Sequence, residues 1–365
     1  MMRHATRGLV LFGLLVAVVS TARAQTTPDT VEVRNRKDGT VKTYSGQFKV
    51  TPAGFQVFTG EKFDKPGEAF SPDDIVKVTV GDLPGIDAAA LRAARDKEVK
   101  KTAKDYAEAF AGYDDLRKKA VTAPDRSKRY LAFKTVSLSQ RLLDDLDAGK
   151  EWQDKADDVV GKWKDFLGDY GAKEKFGWEV WPAARSATRL QIERGKFDDA
   201  AQTWGRMKAL ADLPPEQKLD AAIQEIDLQI RSKAYPNAGG AADELLKTAN
   251  GPRKERLTVY SLAAKAGSDS KHLDGVKAIE GELAKTKDAT VQATAYGMMG
   301  ELYLAGGKPR DAMWMFLWVE TVMNQDKDEV FKAVTRLAEM FEGALADEEQ
   351  AKKYREKLKR YRASF

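Results

Sequence analysis

The chain has 365 residues, 61 Lys and Arg against 56 Asp and Glu, and no cysteine. The missing cysteine excludes disulfides, thiolate catalysis, thiolate metal sites and lipid attachment at a thiol, so a buried core has to hold the fold. A formal charge of +5 predicts no nucleic-acid partner, and it falls to +2 if Arg3, Arg7 and Arg23 leave with residues 1–24, which carry no acid.

Residues 1–24 read as a secretory signal. Arg3 and Arg7 form a positive start, Gly8 to Ser20 is uncharged and largely apolar, and Ala22-Arg23-Ala24 places small residues where signal peptidase needs them. The apolar stretch would span about 20 Å as a helix against a bilayer core of roughly 30 Å, which favours a cleaved leader over an uncleaved anchor. Cleavage between Ala24 and Gln25 leaves 341 residues. Nothing later approaches about 18 consecutive apolar residues. The mature chain is therefore expected to be exported, periplasmic or extracellular, and soluble.

Residues 25–86 carry strand patterns. Val31-Glu32-Val33 alternates, Lys37-Asp38-Gly39 signals a hairpin turn, and Tyr44, Gly46, Phe48 and Val50 recur at a period of two. Thr51-Pro52-Ala53-Gly54 is a second turn before Phe55-Gln56-Val57-Phe58. After a loop through Lys65-Pro66-Gly67, Ile75 to Val80 supplies the last strand. Four or five short strands in this length predict a small antiparallel barrel, and their order resembles SH3-like or Sm-like small β-barrels.

Residues 87–176 read as a helical module. Asp87 is a plausible N-cap, and Val99, Ala103, Tyr106, Phe110 and Tyr113 form one stripe of a long helix. A second helix is predicted over Ser127 to Leu146 and a break at Asp147-Ala148-Gly149. Trp152, Ala156, Val159, Trp163, Phe166 and Tyr170 stripe a third helix, with a joint from Gly171 to Gly177.

Residues 177–365 repeat. Gly195-Lys196-Phe197-Asp198-Asp199-Ala200 reappears, progressively loosened, as units closing at Ala238, Val276, Ala312 and Ala351. The spacings are 38, 38, 36 and 39 residues, a period that signals stacked helical hairpins. The unit containing Tyr296, Met299, Gly300, Tyr303, Gly307, Ala312, Phe316 and Val319 resembles the tetratricopeptide (TPR) family in its spacing of aromatic, small and turn residues. The copy closing at Ala200 has Thr188 in place of the first-helix Gly, and Asn324 stands where the best copy should have Pro. The fold class expected is mainly α: a TPR-like α-solenoid of helical hairpins preceded by a small antiparallel β-domain.

Few residues point to chemistry. His4 lies in the leader, and His272 stands alone in a repeat turn without the partners that a metal site or a triad needs. Ala238-Gly239-Gly240 lacks the Lys-Ser/Thr of a phosphate loop and reads as flexible turn glycines. The pairs Asp73-Asp74, Asp114-Asp115, Asp144-Asp145, Asp157-Asp158 and Asp198-Asp199 read as solvated helix ends. No catalytic, cofactor-binding or metal-ligating residue is assigned, and no cofactor is expected.

Two helices could carry contacts. On 312–323, Ala312, Phe316, Val319 and Met323 form one stripe and Trp314, Met315, Trp318 and Val322 another. The second stripe is expected to pack on the next repeat, the alternative being an exposed aromatic patch that takes a partner. In the last helix Tyr354, Leu358, Tyr361 and Phe365 lie among seven Lys and Arg. A capping helix is expected there, with contact to an anionic envelope surface as the alternative. Lys100-Lys101-Lys104 and Arg117-Lys118-Lys119 read as solvated faces.

The TPR resemblance implies a non-enzymatic interaction or scaffold protein that presents its repeat groove to a protein or peptide partner. The runner-up is an envelope-associated binder of anionic polymer or lipid through basic helices, and a carboxylate-dependent hydrolase comes third. The close helix crossing at Gly300 and Ala312 yields a direct test. Ala312→Leu overpacks it and should cost about 1–3 kcal/mol, so an unchanged melting temperature would refute the assignment.

Overall fold

The computed structural model describes residues 27–35, 38–145, 155–171 and 176–363. The leader with its Ala24/Gln25 cleavage point, Lys37, the 147–149 break, Trp152, most of the 171–177 joint and Phe365 lie outside the described residues.

Five antiparallel strands open the fold: β1 (Asp29–Arg34), β2 (Val41–Thr51), β3 (Gly54–Thr59), β4 (Lys65–Phe70) and β5 (Ile75–Thr79), in the order β4-β3-β2-β1-β5. The Asp38 carboxylate shapes the β1–β2 turn by accepting from the Thr40 N–H at 3.0 Å and its hydroxyl at 2.7 Å, and Gly39 takes φ +72°.

Two expectations change here. Lys65-Pro66-Gly67 is part of β4, an edge strand, where the missing N–H of Pro66 costs no ladder bond that a central strand would need. Gly67 is required at that point, since a Cβ would stand 2.7 Å from the Val57 carbonyl oxygen. The expected barrel is an open sheet. The 3-10 turn Pro72–Asp74, capped by Ser71, carries the chain to β1, where β5 pairs, so β4 and β5 form opposite edges and never meet.

The helices begin with α1 (Ala88–Val99), capped as expected by Asp87, whose carboxylate accepts from the Ala90 N–H at 2.9 Å. The predicted long helix is instead a hairpin of α1 and α2 (Ala103–Lys119). Lys101 takes φ +60°, and the Thr102 hydroxyl accepts from the Asp105 N–H at 3.1 Å, starting a new helix. Val99 falls outside the buried stripe at 74% exposure, while Tyr106 and Tyr113 stay in it. Next come α3 (Asp125–Asp144) and α4 (Ala156–Tyr170).

One face of the sheet packs on this module. Phe48 lies 5.8 Å from Trp178, which meets Phe133 at 5.5 Å, and Phe133 in turn meets Trp163 at 5.8 Å. Asp29, buried at the base of β1, accepts from the Phe48 and Gly81 N–H groups, each at 2.8 Å, and from Arg126 of α3. A charge-assisted set of this kind fixes the approach of sheet to helix more firmly than apolar contact alone.

Ten further helices form five hairpins: α5 (Val180–Glu193) with α6 (Phe197–Lys208), α7 (Pro215–Arg231) with α8 (Tyr235–Leu246), α9 (Gly251–Ser268) with α10 (His272–Leu283), α11 (Ala289–Ala305) with α12 (Pro309–Thr321), and α13 (Lys327–Glu342) with α14 (Glu348–Ala363). Ala200, Ala238, Val276, Ala312 and Ala351 all fall early in the second helix of a hairpin and are all buried, so the repeat period marks the helix crossings. The fold is a TPR-like helical repeat behind an antiparallel sheet. Gly239 and Gly240, expected in a turn, lie inside α8.

The five hairpin turns share a left-handed residue: Gly195, Lys233, Ser270, Gly307 and Ala346. In the first four, the residue after it donates to the carbonyl five positions back, as Lys196 does to Gln191 at 2.9 Å and Lys308 to Tyr303 at 2.8 Å, the Schellman pattern. Only glycine adopts this conformation without steric cost. We expect Lys233→Gly to stabilise the protein by about 0.5–1 kcal/mol and Gly307→Lys to destabilise it by about 1–2 kcal/mol, read as shifts of the urea midpoint at constant slope.

Candidate functional site

Helix α13 is the most enclosed: Val330, Phe331, Ala333, Val334, Leu337, Ala338, Met340 and Phe341 are buried in the main apolar cluster. Its remaining face carries Glu329, Lys332, Arg336 and Glu339, spaced three, four and three residues apart and therefore on one stripe. This stripe meets charges from three repeat helices. Arg231 of α7 donates to Asp227 on its own helix at 3.0 Å, to Glu301 of α11 at 2.9 Å and to Glu329 at 3.4 Å. Lys332 donates to Asp227 and, at 2.6 Å, to Glu329. Arg336 holds both oxygens of Glu301 at 2.8 and 2.9 Å, donates to Glu339 at 2.8 Å, and lies 4.1 Å over the Phe197 ring. Arg256 of α9 completes the set, donating to Glu329 and to the Tyr260 hydroxyl.

Four cations thus face four carboxylates in a largely buried layer. Burial pushes the Asp227 carboxyl up, but Arg231 and Lys332 outweigh it and hold the group below the usual aspartate range. At Glu329 burial prevails over its cationic neighbours, and the carboxyl is raised. Burial raises the Tyr260 hydroxyl to about 12. Nothing in the sequence singled out these residues, because charges on a helix ordinarily read as a solvated face. Gly297 was the one compositional hint, standing where a Cβ would lie 3.3 Å from the Arg231 guanidinium.

A second clamp fixes the start of α13. Asp328 accepts from Arg185 at 2.6 Å and from Arg189 at 2.7 and 3.1 Å, both on α5, and Arg185 also donates to Asp73 beside β5 at 2.7 Å. Burial alone would raise the Asp328 carboxyl, yet the two guanidinium groups hold it far below the aspartate range. Where the ion layer reaches solvent, adjoining clefts of ≈ 430 and ≈ 540 Å³ share Lys196 and Glu339, and Arg231 and Arg336 line the larger.

The outer side of α12 differs from expectation. Ala312, Phe316 and Val319 are fully buried, and Gly300 allows the crossing because a Cβ would stand 2.7 Å from the Phe316 ring. Trp314, Trp318 and Val322 do not pack on a following repeat. They are 63%, 44% and 44% exposed, while Met315 is half-buried. Helix α13 packs against α12 on the side of its buried stripe, Phe316 and Val319, and leaves this face uncovered. The three residues lie at i, i+4 and i+8, a row about 12 Å long, and Tyr296 adds a ring 5.8 Å from that of Trp318.

Helix α14 behaves as a cap. Tyr354 stacks on Phe341 at 5.3 Å and donates its hydroxyl to Glu320 at 3.0 Å, and Leu358 is fully buried. Several of its cations are bound internally: Lys357 to Glu320, Arg355 to Glu342 at 2.6 Å, and Arg362 to both Asp144 of α3 and Glu193 of α5. Burial raises the Asp144 carboxyl to about 6 in spite of Arg362. Lys352, Lys353 and Arg360 remain exposed.

The aspartate pairs are ion-paired rather than simply solvated. Asp73 meets Arg185, Asp114 meets Arg117 and Lys118, Asp115 meets Lys119, Asp157 meets Arg194, Asp158 meets Lys162, and Asp199 meets Lys164. His272 opens α10 half-buried. Among the described residues no group of three His, Cys, Asp or Glu side chains could hold a metal ion, and no helix is long and apolar enough to cross a membrane.

The arrangement defines a helical-repeat protein with a buried ion layer and an exposed aromatic face. No family model and no curated protein sequence matches the chain. Among solved structures, the chain is similar to a tetratricopeptide repeat protein from Parabacteroides merdae, with 14% identity and a TM-score of 0.43 over 74% of this chain and 98% of that one.

The Asp328 clamp has a pH signature. Its folded pKa is depressed, so its stabilisation is fully present above the unfolded value of about 3.9 and drains away as pH falls below it. Asp328→Asn should lower the melting temperature at pH 6, and the gap from the wild type should narrow steadily between about pH 4 and pH 2. A gap independent of pH would contradict the charge-based clamp.

Proposed function

We propose that the chain is an exported, non-enzymatic interaction protein of the cell envelope or extracellular space, and that it binds its protein partner on the outer face of α12. On this reading residues 1–24 are the leader, 25–86 a docking or assembly module, 87–176 the module that seats it, and 177–365 the repeat. The observation that carries the proposal is the row Trp314, Trp318 and Val322, exposed on a helix whose opposite residues Ala312, Phe316 and Val319 are fully buried. Monomeric proteins seldom leave large aromatic side chains together in water unless something covers them, and tryptophan dominates binding energy at interface centres. Where the TPR resemblance implied a partner in the repeat groove, α7, α9, α11 and α13 pair charges with one another, and this reading therefore moves the proposed contact to the exposed face of α12. Thr321 and Asn324 beside the row are polar and uncharged, which suits an apolar protein ridge better than a polyanion.

The test is co-purification from envelope extract with the wild type and with Trp314→Ser/Trp318→Ser. Exposed substitutions should change folding stability by no more than about 0.5 kcal/mol each, while a stoichiometric partner should be lost, or bound roughly 30-fold more weakly, as expected for about 2 kcal/mol of contact. Unchanged recovery of the same partner would refute this face as the site.

A further inference from the structure

The two ends of α2 spend their cations differently. At the C-terminal end Arg117 and Lys118 pair with Asp114, and Lys119 pairs with Asp115. At the N-terminal end Lys101 and Lys104 are exposed, and among the described residues neither has an acid within ion-pair distance, while Lys100 reaches Asp105 only at 4.0 Å. Two contacts bring further cations to this end. Arg141, on the last turn of α3, is exposed and lies 5.8 Å over the Tyr106 ring of α2. Asp144, three residues on, holds Arg362 of α14 across 218 residues of sequence. Two and three residues before Arg362, exposed Arg360 and half-buried Lys359 also lack an ion-pair partner among the described residues.

We propose that this end of the fold, built from the α1–α2 turn, the last turn of α3 and the last two turns of α14, docks on a bilayer rich in anionic phospholipid. Lys101, Lys104, Arg141, Lys359 and Arg360 supply the charge. The acids beside them are mostly committed within the chain: Asp105 accepts from the Thr102 hydroxyl at 2.6 Å, Glu108 holds Lys97, Glu98 holds Lys134 at 2.5 Å, and Asp144 holds Arg362. Asp96 and Glu356 are the exposed acids on α1 and α14 near this end that no ion pair occupies. Cations left over after internal pairing are the ones a negatively charged surface can attract.

One apolar residue selects a bilayer over a soluble polyanion. Val99, 74% exposed, stands on the α1–α2 turn directly before Lys100 and Lys101, where Lys101 reverses the chain at φ +60°. Headgroups meet the lysines, and the boundary of the acyl layer takes the valine. A soluble polyanion would use the charge and leave Val99 in water. Val121 is equally exposed at the other end of α2, but the cations before it are spent on Asp114 and Asp115, so that end is the internal comparison. The docking surface uses none of the residues assigned to the α12 contact.

The experiment measures binding of the chain left by leader removal, residues 25–365, to vesicles of phosphatidylcholine alone and of phosphatidylcholine with an equal part of phosphatidylglycerol. Anionic vesicles should bind roughly tenfold more tightly or better, and the difference should vanish at about 0.5 M salt, where charges are screened within about 4 Å. Each Lys or Arg near such a surface contributes roughly fivefold in affinity. Lys101→Gln/Lys104→Gln and Lys359→Gln/Arg360→Gln should therefore each weaken binding by about tenfold or more at unchanged melting temperature, while Lys118→Gln/Lys119→Gln should leave it unchanged. Val99→Trp should tighten binding, and brominated acyl chains should quench its emission more strongly than that of the wild type. If either double variant melts early, Lys104→Gln and Arg360→Gln carry the same test at roughly fivefold each. The proposal is overturned if neutral vesicles bind as well as anionic ones, if neither binds, or if the Lys118/Lys119 pair matters as much as the others. It is also overturned if inorganic polyphosphate binds as tightly while Val99→Trp escapes quenching, which would mark a polyanion site.

Discussion

The ion layer along α13 is the constraint on which the repeat architecture rests. Arg231, Arg256, Lys332 and Arg336 stand against Asp227, Glu301, Glu329 and Glu339, and Asp227, Arg231, Glu329 and Lys332 are almost fully withdrawn from water. Charges in such a medium tolerate one arrangement and penalise every slip, because a displaced helix would leave an uncompensated ion. Helical hairpins can stack at a range of angles on apolar contacts alone. Here the angle between α7, α9 and α11 is set by the need for each to deliver a charged side chain to α13.

Several features follow from that placement. With α13 packed on the buried stripe of α12, the other stripe is covered only in part, and Trp314 and Trp318 meet solvent. With α14 stacked on α13, Arg362 reaches Asp144 and Glu193 and ties the end of the repeat to α3 and α5. The clamp of Arg185 and Arg189 on Asp328 joins α13 to α5, and the contact of Arg185 with Asp73 extends it to the turn before β5. The sheet, the first helical module and the repeats are thus linked through short charged contacts at the ends of elements and through apolar packing along their lengths.

Much of this was legible in the chain. The spacing of Ala200, Ala238, Val276, Ala312 and Ala351 located every hairpin crossing, because a small residue there is a steric requirement. Asp87 marked a helix start, and period-two alternation found β1, β2, β3 and β5. Other features were hidden for identifiable reasons. The stripe from Val99 to Tyr113 kept helical spacing across a chain reversal, and only Thr102 with Asp105 hinted at a second cap. Pro66 and Gly67 argued against a strand because their tolerance at a sheet edge depends on strand order, which is a tertiary fact. The two-sided apolar pattern of α12 pointed to a helix covered on both sides, but whether a neighbour covers the second side depends on where α13 packs. The ion layer was the least legible feature, since Glu329, Lys332 and Arg336 have the same local pattern as any solvated helix face.

The central claim, that paired charge on α13 and α7 holds the repeats in register, is tested most directly by a double-mutant cycle on Asp227 and Lys332. Asp227→Asn, Lys332→Met and the double variant would be compared by chemical denaturation. Each single substitution leaves the buried layer one charge out of balance and should cost about 3–5 kcal/mol, and the double should cost much less than the sum, giving a coupling of at least ~2 kcal/mol. Additivity within about 0.5 kcal/mol would contradict the account.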